Sequence, residues 1–175
     1  MQSALTKSER NGGEMSKSIL ITGGAASGKS RWAATSYSHY DYVLYLRTGE
    51  AVDPDTLHRI EYSNNQNGVE WDIVDKVYEE PAAQIGDHKF VIFDRLSDYA
   101  SIVINRMCPD ISKMDDDLMK SIERRIISDV EQMRERIREL NGSMIIITIE
   151  TGFSVPPADP ANIALRKILG SVNQR

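Results

Sequence analysis

Ser18-Ile19-Leu20-Ile21-Thr22-Gly23-Gly24-Ala25-Ala26-Ser27-Gly28-Lys29-Ser30 is the stretch that decides the fold. Its first five residues form a mostly apolar run that stops abruptly at two glycines, as expected of a strand buried on both faces. The eight residues from Gly23 to Ser30 match GxxxxGK[ST], and Lys29 to Tyr37 reads as the helix that follows. Small residues let such a backbone curl around a polyphosphate, so that its N–H groups and the helix dipole surround the charge. On this reading Gly23, Gly24, Ala25, Ala26, Ser27, Gly28, Lys29, Ser30 and the adjoining Arg31 contact a nucleotide. Lys29 reaches the β- and γ-phosphates as a catalytic group, and Ser30 offers its hydroxyl to Mg²⁺. The other reading of the same letters is a chance glycine turn before a helix.

Working outward, strands alternate with helices. Tyr42–Leu46 is a second strand, and Asp53-Pro54-Asp55 supplies a cap and a first-turn proline for a helix through Tyr62. Asn64–Gly68 breaks it; Val69–Val74 is a third strand, followed by a short helix near Pro81–Ile85. A fourth run, Phe90–Phe93, ends in Asp94, the carboxylate that a loop-bound Mg²⁺ needs from a neighbouring strand. A cap on the next segment is the alternative role for Asp94. Leu118, Ile122, Ile126, Val130, Met133, Ile137 and Leu140 recur at steps of three and four, which predicts a helix from Asp115 to Leu140, stopped by Asn141-Gly142. Glu131, Arg134, Glu135 and Arg138 on it are interleaved in sign, as on a solvated outer face. Ser143–Ile149 is the fifth strand and Ala161–Leu169 the last helix, with Gly170 at its end. The pattern predicts an α/β fold of three layers, a mostly parallel P-loop NTPase-type sheet with helices on both faces.

Composition sets the outer bounds. The 175 residues are 41% hydrophobic and 27% charged, an ordinary globular balance that excludes wholesale disorder. A net charge of −5 argues against a broad grip on nucleic acid or anionic lipid and favours a small partner. Cys108 is the only cysteine, which points to a reducing cytoplasm and gives no zinc spacing. No apolar run approaches a membrane span. Residues 1–16 read as a loose polar tail, with Met15 as an alternative start, and residues 17–175 as one domain.

Several short motifs, in their order, resemble the bifunctional adenosylcobinamide kinase/adenosylcobinamide-phosphate guanylyltransferase family. They are ILITGGAASGKSRWA from Ile19, VLYLRT ending at Thr48, Asp53 and Asp55 followed by Arg59-Ile60, Trp71, FVIFDRLSDY around Asp94, IIITIETGFSVPP through Glu150, Gly152 and Pro157, and GSVNQR at the end. The resemblance implies a P-loop kinase that uses ATP or GTP with Mg²⁺ to phosphorylate the aminopropanol arm of adenosylcobinamide, then transfers GMP to that phosphate. It also implies a homo-oligomer, and makes Thr48, Arg59, Ser63 and Glu150 further site candidates. Glu150 at a strand's carboxyl end opens toward a ligand crevice, or is simply a solvated acid.

The chain departs from the family's pattern in ways that bear on chemistry. Ser63 stands where the family carries the histidine that takes up GMP, and a hydroxyl cannot form the labile phosphoramidate. His58 lies five positions away, about 140° around a helix, and should face elsewhere; His39 and His88 read as loop or surface residues. Ala26 and Asn67-Gly68 replace the family's arginine and arginine-proline pair. Family members continue beyond the position of Arg175 to a final strand, without which a sheet edge is left bare. Two rivals to the bifunctional enzyme therefore stay open: a nucleotide-binding paralogue without catalysis, and a P-loop kinase of another small molecule.

Overall fold

The computed structural model describes residues 16–49, 58, 71–150 and 159–174. Five strands form one sheet: β1 (Lys17–Ile21), β2 (Val43–Arg47), β3 (Trp71–Val74), β4 (Phe90–Asp94) and β5 (Ser143–Ile147). Their order is β1-β5-β4-β2-β3, and every pairing is parallel. The helices whose bounds fall within the described residues are α1 (Lys29–Ser36), α2 (Leu96–Met107), α3 (Asp116–Glu139) and α4 (Pro160–Val172). The expected α/β architecture is thus present, with its parallel sheet and helices on both faces.

Alternation along the strands builds two cores. Leu44, Leu46, Val91, Phe93, Met144 and Ile146 face one way and pack against Tyr99, Ile104, Ile122, Ile126, Ile137 and Leu169 of α2, α3 and α4. Val43, Tyr45, Ile92, Ile145 and Ile147 face the other way, toward Ala33, Ala34 and Tyr37 at α1. Buried on both faces, the inner strands need to be continuously apolar, and VLYLR, FVIFD and SMIII are nearly so. β1 is an edge strand whose Leu20 is exposed.

Caps and packing set the helix bounds. The Asp115 carboxylate accepts from the Leu118 amide at 2.7 Å and starts α3, while Arg136 and Arg138 complement its last turn. The charges read as a solvated face pair along the helix, Arg134 with Glu131 and Arg138 with Glu135. Asp129 breaks that pattern, since it is buried and accepts from the Tyr99 hydroxyl at 2.7 Å and from Arg125.

Several elements depart from the sequence expectation, most of them by a single residue at an end. Helix α2 was not anticipated; its cap residue, Arg95, makes no side-chain capping bond, so the usual start signal is missing. The helix near Pro81 is a single 3₁₀ turn, Ala83–Ile85. β5 ends at Ile147 instead of Ile149. Gly170 lies inside α4, because Val172 is buried beyond it and the Ser171 hydroxyl donates to Glu123 at 2.5 Å; these contacts outweigh the roughly 1 kcal/mol that a helical glycine costs. The helix expected over Asp53–Tyr62 lies outside the described residues except at His58, which is helical and exposed. The N-terminal tail falls outside them up to Met15.

Candidate active site at the carboxyl ends of the strands

The loop from Thr22 to Gly28 joins β1 to α1, and its shape follows from its composition. Gly28 has φ 84° and caps α1, a conformation that glycine adopts without steric cost. Gly23 has φ 156°, and a Cβ there would lie 3.0 Å from the Ser27 hydroxyl, so the turn favours a glycine. Ala26 also takes a left-handed backbone, φ 55°, which costs an alanine about 1–2 kcal/mol. Lys29 folds back over this bend: its Nζ donates to the carbonyls of Gly23 at 2.9 Å and Gly24 at 2.6 Å and to the Ser27 hydroxyl at 3.3 Å. Burial lowers its pKa; Asp94 opposes that shift and Arg95 reinforces it. Gly24, Ala25, Ala26, Ser27 and Arg31 are exposed along the outer rim.

Strand order brings Asp94 to this loop. β5 alone separates β1 from β4, and the registers Ile21↔Ile147 and Asp94↔Ile147 put the ends of the three strands level. Asp94 accepts from the Tyr45 hydroxyl and is hydrogen-bonded with Ser30. Burial raises its pKa, and the bonds from Tyr45 and Ser30 partly offset the rise. The Tyr45 phenol is itself pushed far up, first by burial and then by the Asp94 charge. Asp94 closes β4, and the cap position of α2 falls to Arg95, so the alternative role as a helix cap is not realised.

The other Asp94 oxygen, Oδ1, is buried without a partner. An unpaired carboxylate oxygen out of water is costly, and a cation there would pair it. The donor set suits magnesium, which takes one carboxylate and a hydroxyl and fills its remaining positions with phosphate oxygens and water. Ser30 and Asp94 are the residues that would hold it.

Of the further candidates, Thr48 is fully buried beyond β2, where its Oγ1 donates to the Arg95 carbonyl at 2.7 Å and accepts from the Arg95 amide at 3.0 Å. Glu150 is exposed beside the loop, accepts from the Thr22 hydroxyl at 3.3 Å and donates its amide to the Gly23 carbonyl at 3.3 Å. Arg59 and Ser63 lie outside the described residues, as do Asn67, Gly68, Gly152 and Pro157. The structure adds Tyr45, Arg95 and Asp98, which sequence reasoning missed, and Thr148, whose buried Oγ1 has no partner at the end of β5. A tyrosine inside an all-apolar strand and an arginine just after a strand-end aspartate were the available signals.

Comparison with known proteins points to one family. Residues 19–175 match the model of a family described as cobinamide kinase / cobinamide phosphate guanyltransferase. The chain is 26% identical over 162 residues to the bifunctional adenosylcobalamin biosynthesis protein CobU of Escherichia coli (strain K12), covering 90% of this chain and 88% of that protein. It is 22% identical over 160 residues to the protein of the same name from Salmonella typhimurium, with the same shares covered.

Proposed function

The chain belongs to the cobinamide kinase / cobinamide phosphate guanyltransferase family, and from that premise we propose that it phosphorylates adenosylcobinamide at the expense of ATP or GTP in cobalamin biosynthesis. One observation carries the reading: Lys29, Ser30, Tyr45 and Asp94 meet at a glycine-rich loop, with one buried carboxylate oxygen left unpaired. The loop amides and Lys29 bind the triphosphate, Ser30 and Asp94 hold magnesium, and Tyr45 fixes the orientation of the carboxylate. When bound, the ion neutralises charge on the transferring phosphoryl group. Lys29 exchanges the Gly23 and Gly24 carbonyls for phosphate oxygens, and catalysis is positioning plus charge stabilisation. Guanylyl transfer is not part of the proposal, because Ser63 lacks the imidazole nitrogen that would carry GMP.

The test is mass spectrometry of the corrinoid after incubation with magnesium and each triphosphate. Addition of one phosphate is expected and no change would refute the proposal; phosphate followed by GMP would show that guanylyl transfer occurs as well. Nucleotide binding without any product would favour the non-catalytic paralogue, to which Ser63 and Ala26 lend support. Phosphorylation only of a non-corrinoid acceptor would point to another kinase. The homo-oligomer implied by the family resemblance is a separate question, which sedimentation would answer.

A further inference from the structure

Lys29 is the only cationic side chain between Gly23 and Ser30, so the loop meets a polyanion with a single ammonium group. A second cation stands beyond Asp94. Arg95 has an extended backbone, φ −133° and ψ 136°, and the buried Thr48 hydroxyl clamps it from both sides, bonding its amide and its carbonyl. Its guanidinium Nη2 lies 2.9 Å from Asp98 Oδ2, and this pair rests on Gly49, where a Cβ would come within 2.5 Å of Asp98 Oδ2 and 3.2 Å of Arg95 Nη2. A side chain there would push the carboxylate of the pair aside. The Arg95 side chain is 43% exposed and Asp98 is its one ion partner among the described residues. A guanidinium has five donors, so most of its capacity is open.

Position decides which part of a nucleotide it meets. The loop follows β1, Asp94 ends β4, and Arg95 lies one residue further, against the end of β2. Phosphates running from the loop amides toward the Asp94 carboxylate would present the last of the chain to this guanidinium. We propose that Arg95 binds the terminal phosphate of the triphosphate, leaving Asp98 for it and giving the site the second cation that the loop lacks. Arginine suits this task because its planar fork pairs with two phosphate oxygens at once. The inference rests on the nucleotide reading above and goes beyond it.

Calorimetric titration with MgATP, MgADP, MgGTP and MgGDP tests it on the intact protein. Arg95→Ala should weaken triphosphate binding about 10- to 50-fold and diphosphate binding by no more than about twofold, as for loss of a charge-assisted contact to one phosphate. Arg95→Lys should restore part of the triphosphate preference. Asp98→Asn should raise triphosphate affinity, since it releases the guanidinium. Equal losses for di- and triphosphate, or an Asp98→Asn loss equal to that of Arg95→Ala, would mean that Arg95 merely braces α2, and would overturn the proposal. Unchanged triphosphate affinity in a folded Arg95→Ala protein overturns it as well. If the unaltered protein bound neither triphosphate, the nucleotide reading itself would fall, which separates the two failures.

Discussion

The two ends of the same parallel sheet are built on different terms. At the carboxyl ends lie a left-handed loop, a lysine folded on its own carbonyls, and two buried oxygens without partners, Asp94 Oδ1 and Thr148 Oγ1. At the amino ends Tyr37 reaches Ser143 Oγ at 2.7 Å, Tyr40 stacks on Phe90 at 3.9 Å, and His88 sits 2.7 Å from Asp72 Oδ2 and 2.8 Å from the Ile85 carbonyl. Trp71 Nε1 at the start of β3 is also buried without a partner, so the ends differ in kind: the amino ends leave an indole N–H unpaired, the carboxyl ends a carboxylate and a hydroxyl oxygen. A fold that holds unsatisfied oxygens at one end relies on packing elsewhere to keep them in place.

Substitutions at the two ends should therefore fail differently. Lys29→Ala should lower phosphorylation about a hundredfold to a thousandfold while leaving the melting temperature nearly unchanged, since it removes charge stabilisation from an exposed loop. A smaller loss, about a hundredfold, is expected of Asp94→Asn, confined to assays with magnesium; nucleotide binding in EDTA should stay close to that of the unaltered protein. Gly142→Ala reverses the signature at the amino end. Its Cβ would lie 2.3 Å from the Lys89 carbonyl, so unfolding free energy should drop by about 1–3 kcal/mol, several degrees in Tm, while nucleotide affinity of the folded protein is kept.

The smaller effects concern buried phenols. Tyr99→Phe removes the hydroxyl that donates to Asp129 but leaves Arg125 on that carboxylate, so about 1 kcal/mol should be lost in urea titrations. Tyr37 is pushed up by burial from 10.0 to about 12. Between those values the unfolded chain sheds this proton and the folded chain retains it, so stability should be full below pH 10 and fall as pH rises toward 12. Tyr37→Phe should blunt that alkaline loss in Tm measurements; an identical slope would show that the phenol at the amino end does not control it.

Much of this was legible in residue order. GGAASGKS states its own backbone, because glycines at 23 and 28 permit a bend that other residues resist, and the spacing along α3 reports its buried face without any partner in view. Helix α2 was harder. Leu96, Tyr99, Ala100, Val103 and Ile104 carry helical spacing, yet the segment begins at a residue with no capping side chain. Tyr45 was hidden for another reason: in a strand buried on both faces, alternation does not say which residue looks toward the loop. Thr48 was expected from resemblance alone, and its grip on Arg95 becomes visible only when β2 and β4 lie side by side.

Local geometry and hydrophobic periodicity are written within a few turns of chain, and by themselves they determined a phosphate-type loop, a run of buried strands and a long amphipathic helix. Strand order is not local. That β5 slides between β1 and β4, that Tyr45 and Ser30 converge on Asp94, and that Arg95 and Asp98 settle over Gly49 depend on hydrogen bonds and packing between segments tens of residues apart. Only the folded sheet brings those groups within reach of one another, because register between strands is set by the joint burial of both faces, which no single segment encodes.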